Sequence, residues 1–161
     1  MAEGMQENPL AVVAADVAAR RKPSAYPEPF RSRMGKRTKR PLGDLFGLTN
    51  LGVNLTTLTP GGESALLHRH TRQDEFIYVV SGTPTLVTDQ GEVELSPGMC
   101  AGFPKGGIAH HLVNRTAADV TYLEVGDRTP GDEGQYPADD LAARLDANGQ
   151  WQFTHKDGRP Y

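Results

Sequence analysis

The stretch HRHTRQDEFIYVVSG, residues 68–82, places two histidines either side of one arginine and a glutamate five residues beyond the second of them. Imidazole nitrogens and a carboxylate oxygen are donor atoms for Fe, Mn, Ni, Zn or Cu in the divalent state. In an extended chain, residues i and i+2 project to the same side. His68 and His70 therefore point together and Arg69 points away. The polar run TRQD can turn the chain, so that Glu75 opens the neighbouring strand beside the two imidazoles. The same alternation puts Ile77 and Val79 on the Glu75 side as an apolar wall, with Phe76, Tyr78 and Val80 opposite. Downstream, His110 and His111 offer a further ligand. Adjacent strand residues face opposite sides, so only one of the two can reach the same centre. A metal held in this way keeps open positions for a substrate or dioxygen and can act as a Lewis acid.

Such a constellation needs strands to hold it. From about residue 50 the chain reads as LGVNLTTLTPG, EFIYVV, PTLVT, EVELS, MCAGFP, HHLVN and VTYLEV, at short spacing and with turns such as DQGE and SPG between them. The 18 glycines and 12 prolines suit many tight turns. No long helical pattern interrupts the series, which predicts an all-β antiparallel sandwich or barrel. Before it, residues 8–20 predict a short helix, with Asn8 as cap, Pro9 in the first turn and Pro23 as a stop. Residues 21–44 are basic and proline-punctuated and read as an extended arm. After it, PADDLAARLDANG (137–149) predicts a small helix closed by Gly149. The end, WQFTHKDGRPY, suits a last edge strand or a cover over part of the body. The chain thus divides into 1–44 (helix and arm), 45–127 (barrel) and 128–161 (C-terminal extension). Cys100 is expected as a small buried apolar residue and His155 as a solvent-facing one.

With 161 residues the chain is the size of one domain with a real core. Nine lysines and arginines between positions 20 and 40 face only Glu28, on a chain of net charge -3. The arm is expected to pack on an acidic surface of its own or of a partner. Nucleic-acid binding is not expected, because no base-reading motif and no helix-turn-helix accompanies the charge. No apolar run spans a bilayer. PLAVVAADVAA is short, contains Asp16 and lacks a basic N-terminal flank, so no signal peptide or membrane contact is expected. A single cysteine makes no internal disulfide, and a cytoplasmic location is expected.

Two spaced sets of residues carry a family resemblance. Gly62, His68, His70, Glu75 and Gly82 follow the first motif of the cupin superfamily, and Gly98, Pro104, Gly107, His110 and Asn114 follow the second. One extra residue stands between Pro104 and Gly107. Over roughly 45–127 the chain therefore resembles the cupins, small double-stranded β-helix (jelly-roll) barrels. The resemblance implies that His68, His70, Glu75 and His110 bind one divalent metal ion of the Fe, Mn, Ni, Zn or Cu kind. VGDRTPGD (125–132) and HKDG (155–158) are also similar to a branch of small cupins labelled sugar-phosphate-isomerase-like. The expected function is a metal-dependent enzyme on a small organic substrate, of isomerase or lyase type with a non-redox metal or a dioxygenase with a redox one. The alternative is a non-catalytic cupin that binds a small ligand or regulates. Cupins commonly pair through edge strands, so a homodimer is expected.

Overall fold

The structure, a computed structural model, describes residues 8–161. In chain order the strands are β1 Arg37–Pro41, β2 Leu51–Leu58, β3 Arg69–His70, β4 Glu75–Ser81, β5 Thr85–Thr88 and β6 Gly91–Glu94. They continue with β7 Cys100–Phe103, β8 His110–Val113, β9 Val120–Asp127, β10 Glu133–Gln135, β11 Ala142–Leu145 and β12 Trp151–Thr154. One sheet runs β1-β2-β9-β4-β7, a second β6-β5-β8 and a third β12-β11-β10-β3, with antiparallel pairing throughout. Bridges from Glu63 to Val113 and from His68 to His110 tie the segment before β3 to β8, so the second and third sheets continue one another. This is the all-β jelly-roll expected from the strand rhythm.

The core forms where the first two sheets face each other. Leu58, Ile77, Val79, Phe103, Val120 and Tyr122 from one meet Leu86 and Leu112 from the other, with Leu95 beside them. Each such side chain adds about 1.5–3 kcal/mol when fully buried. Strand β4 keeps its period of two: Ile77 and Val79 are buried, while Phe76, Tyr78 and Val80 are exposed. Gly82 ends β4 with φ at +76°, and a Cβ there would lie 2.7 Å from the Asp119 carbonyl oxygen. Left-handed backbone strain in a non-glycine residue costs about 1–3 kcal/mol, and the clash adds to it. Gly82→Ala is expected to lower the urea midpoint accordingly. An unchanged midpoint contradicts this account of the turn.

Both flanks differ from expectation. Residues 8–20 hold no α-helix, only a 3-10 turn at Ala14–Asp16 with no side-chain cap. Val12 and Val13 are exposed, so the segment has no apolar stripe to bury, and a helix this short does not persist in water on propensity alone. Asn8 donates instead to the Phe46 carbonyl, and the Arg20 amide donates to the Lys39 carbonyl at 2.8 Å, which lays the segment along β1. The arm is not simply extended. Short helices at Phe30–Arg33 and Leu42–Leu45 flank β1, which joins the main sheet in register Arg37↔Leu58 to Pro41↔Asn54.

The helix expected at 137–149 is strand β11, hairpinned to β12 through Ala142↔Thr154 and Leu145↔Trp151. The Asp146 carboxylate accepts from the Asn148 and Gln150 amides, both at 2.9 Å, closing a turn over Asn148–Gly149. An Asn-Gly pair is a strong hairpin signal, and here it overrides the helix propensity of Leu, Ala and Arg. Cys100 is exposed rather than buried, on the edge strand β7 opposite Tyr78.

The two flanks pack on each other in a second core. Tyr26, Phe30 and Met34 meet Leu66, Tyr136, Leu141 and Ala143, with Trp151 and Phe153 against them. The aromatic C-terminal stretch is thus both the edge strand of the third sheet and part of a cover. His155 is held at the surface, its Nδ1 2.8 Å from Asp140 and its ring stacked on Tyr161.

Candidate metal centre

Three short segments converge inside the barrel. His70 stands on β3, with His68 two residues earlier on the same side. His68 and His110 are clamped by reciprocal backbone hydrogen bonds of 3.2 and 2.8 Å, so the first residue of β8 is set beside them. Glu75 opens β4. Its Oε2 lies 2.9 Å from His110 Nε2 and 3.4 Å from the Nε2 atoms of both His68 and His70. Donor atoms of His68, His70 and Glu75 all fall within 4.8 Å of one another. His110 joins them through Glu75, its ring 4.9 Å from that of His68 and stacked flat on Phe103 at 3.5 Å. His111 faces the other way, its Nδ1 2.8 Å from the Ala65 carbonyl, and burial lowers its pKa.

The outer nitrogens decide what the inner ones can do. Nδ1 of His68 faces the Leu66 carbonyl at 2.8 Å, that of His70 the Asp132 carboxylate and that of His110 the Ile108 carbonyl at 3.4 Å. A neutral ring that donates from Nδ1 presents a bare lone pair at Nε2. Three lone pairs thus surround Glu75 Oε2, which is buried and accepts no well-formed hydrogen bond. So many buried acceptors in contact require a proton or a cation among them. A set of three imidazole nitrogens and one carboxylate oxygen fits a divalent transition metal.

The charges are coupled. Without an ion a proton plays that part: burial pushes the Glu75 carboxyl up, but N–H groups of His110 and His68 turned on it outweigh burial and hold it well below the usual range. Burial likewise works against charge on His70, and there the Asp132 hydrogen bond with the Glu75 and Asp132 charges prevails, raising its pKa.

Asp132 is a site residue that motif reading missed. It is fully buried and accepts from the Arg72 amide at 2.7 Å and the Gln73 amide at 3.3 Å as well as facing His70. Asp127 accepts from the Asp74 amide at 2.7 Å. The two acids of VGDRTPGD therefore fasten the turn between His70 and Glu75. Losing a partner that orients a metal-bound histidine costs 10–100-fold in metal affinity. Asp132→Asn is expected to weaken metal binding by about that factor, measured by competition with a chromogenic chelator. An unchanged affinity would show that Asp132 serves the turn alone.

The four side chains line a cavity of about 380 Å³, within the range of small-ligand sites. Tyr26, Tyr136, Trp151 and Phe153 from the flanks border it, as do Arg37 and Lys39 from β1. Lys39 Nζ is hydrogen-bonded to Glu124 on β9, which also accepts from Asn54 Nδ2 at 3.1 Å. Lys39 and Glu124 escaped sequence reading too. Period-two alternation in RTKRP would have found the inward pair Arg37 and Lys39, had that segment been read as a strand. Glu124 stands in register with Ile77 while Glu75 pairs with Gly126, so the two glutamates are diagonal neighbours on one face. Between them Gly126 adds no side chain; a Cβ there would sit 3.8 Å from Glu75 Cγ.

Known proteins share this fold. Residues 54–126 match the Cupin_2 family, described as a cupin domain. A crystal structure described as a sugar phosphate isomerase from a cupin superfamily, from Silicibacter pomeroyi, is 43% identical; the match covers 94% of this chain and 96% of that one at a TM-score of 0.87. A candidate sugar phosphate isomerase from Acidithiobacillus ferrooxidans is 30% identical, with 78% and 80% of the chains covered at a TM-score of 0.71. The polyketide cyclase RemF from Streptomyces resistomycificus is 26% identical over 73% and 78% of the chains, at a TM-score of 0.58. No curated protein matches the chain. With the barrel, both motifs and a relative matched along nearly its whole length, the chain belongs to the cupin superfamily.

Proposed function

We propose that this cupin is a metal-dependent enzyme of isomerase or lyase type acting on a small organic substrate, with His68, His70, Glu75 and His110 holding one divalent ion. The observation that carries the reading is Glu75 Oε2, buried without a hydrogen bond among three imidazole nitrogens. A bound ion would supply Lewis-acid polarisation of a substrate oxygen. The chain's own groups do the rest. Ile77, Phe103 and Leu112 make the cavity wall apolar near the donors. Asp132 holds His70 in one tautomer. Lys39 and Glu124, bonded to each other in the same wall, form an ionisable pair suited to moving a substrate proton.

The isomerase or lyase arm is favoured because the relatives named above are described as sugar phosphate isomerases and a cyclase, none of them as an oxygenase. Metal analysis of protein purified without added metal, with oxygen uptake measured on a panel of hydroxy-carbonyl compounds, tests the choice. Manganese or zinc without oxygen uptake is the expected result. Iron with substrate-dependent oxygen consumption overturns it in favour of a dioxygenase.

The homodimer belongs to the same proposal. Strand β7 is an open sheet edge, and Phe76, Tyr78, Val80 and Met99 stand exposed beside it. Light scattering is expected to give twice the 17.4 kDa chain mass, and the single-chain value would contradict pairing. Among the described residues no helix is long and apolar enough to cross a membrane. We assign the protein to the cytoplasm, where its one exposed, unpaired cysteine stays reduced.

A further inference from the structure

We infer that the substrate is a phosphate monoester whose phosphoryl group sits between Arg20 and Arg37, where the metal cavity meets a second, cationic cavity. The inference rests on the metal-enzyme reading above for the rest of the substrate, but not for the anion site itself.

The second cavity, of about 250 Å³, shares Arg20, Ser24, Arg37 and Lys39 with the first. Its other lining residues include Arg21, Lys22 and Arg31, and none is acidic. Two segments build the shared wall. Arg37 and Lys39 are the inward residues of β1, and the Arg20 amide is hydrogen-bonded to the Lys39 carbonyl, so the strap bearing Arg20 and Ser24 runs along that strand.

The charges there are only partly matched. Lys39 is neutralised by Glu124. Elsewhere on the same arm, Arg33 pairs with Glu63 and Asp139. Among the described residues, no carboxylate lies within ion-pair distance of Arg20 or Arg37. Arg37 is half-buried and gives one N–H to the Ser64 carbonyl, which leaves the remaining guanidinium donors for a ligand. A half-buried cation without a counter-charge is unfavourable, and an anion removes the penalty.

Its chemistry follows from number and geometry. One carboxylate is satisfied by a single guanidinium fork. Two arginines from separate segments, with the Ser24 hydroxyl between the cavities, suit three terminal oxygens instead. Their combined charge balances a phosphate monoester, which carries about −1.5 to −2 at neutral pH. The cations line two joined cavities of small-molecule size, not an open stripe, which favours a small phosphorylated compound over nucleic acid.

The test is calorimetric titration of the full chain, after chelator treatment, with inorganic phosphate and with malonate at constant ionic strength. Removing the metal separates this question from the metal-enzyme reading, whose own failure appears in the metal analysis. Saturable phosphate binding tighter than malonate binding is expected. Arg20→Gln and Arg37→Gln should each weaken it at least tenfold. Arg144→Gln, an exposed change on β11, should leave it within twofold. Circular dichroism and the thermal midpoint report folding. Should Arg37→Gln unfold through loss of its Ser64 contact, Arg20→Gln, an exposed side chain, decides alone. Phosphate binding that survives Arg20→Gln, malonate bound equally well, or no saturable phosphate binding by the wild type each overturns the assignment. So does a duplex oligonucleotide that binds and is lost with the same substitutions.

Discussion

Glu75→Ala is expected to yield a folded protein that purifies without metal, and His70→Ala to lose metal as well. Each removes a donor atom from the centre. The loss of affinity should therefore exceed the 10–100-fold range known for residues that only orient a ligand. Glu75 is the cleaner choice. Its Oε2 makes no well-formed hydrogen bond, so alanine there breaks none. His70→Ala leaves the buried Asp132 carboxylate with the Arg72 and Gln73 amides and the Thr71 hydroxyl, and some loss of stability is expected beside the loss of metal. Elemental analysis per chain after growth in metal-replete medium reads the effect. Full occupancy in both variants would end the case for this centre.

The same centre predicts a direction with pH. Imidazole binds metal only when neutral, so protons and metal compete. His70 is held above its ordinary value of 6.5 despite burial, by Asp132 and Glu75, so protons compete with a metal for it more strongly than for a free imidazole. At fixed free metal, occupancy should rise as pH climbs through neutrality and fall on acidification. Occupancy unchanged down to pH about 5 would contradict the role of His70.

Three of the four converging side chains were legible because their spacing is local physics. His68 and His70 lie two apart on an extended chain, and TRQD returns the chain so that Glu75 meets them. Choosing His110 over His111 took the second motif, since alternation only says that one of them turns away. Two misreadings had a common cause, namely composition weighed above partner. RTKRP looks like part of an extended arm because three of its five residues are basic. It becomes a strand because β2 offers a free edge and because Glu124 and the Ser64 carbonyl wait inside for Lys39 and Arg37. LAARL has the propensity of a helix. It becomes a strand because Leu141 and Ala143 alternate into the second core and Asn148–Gly149 turns it back on β12. Asp132 could not be placed from spacing, as it reaches His70 from the residue before β10, 62 positions along the chain, through a strand pairing that spacing does not reveal. Its sole local signal was the run VGDRTPGD, which sequence reading took only as a likeness to one cupin branch.

Glu124→Gln is expected to abolish most turnover while leaving the metal in place. Glutamine keeps the shape and can still accept from Asn54, so the wall should hold. It removes the carboxylate that takes a proton and strips Lys39 of its counter-charge. Positioned acid–base groups are worth about 10²–10⁴-fold in rate. The register puts Glu124 diagonal to Glu75 across Gly126, and such cross-strand diagonals are about 7–8 Å apart, room for the few atoms of a substrate carbon next to a metal-bound oxygen. The measurement is turnover on a panel of aldose and ketose phosphates, with deuterium incorporation from solvent followed by proton NMR. A role in proton transfer lowers kcat and deuterium incorporation together, with KM little changed. It also removes one limb of the pH–rate profile. Lys39→Met should do the same, and the double variant should lose little more than either single one, because the two groups act as a unit. If Glu124→Gln keeps its metal, turns over within threefold of the wild type and exchanges deuterium as fast, the pair only braces β1 against β9, and the proton must be carried by another group in the cavity.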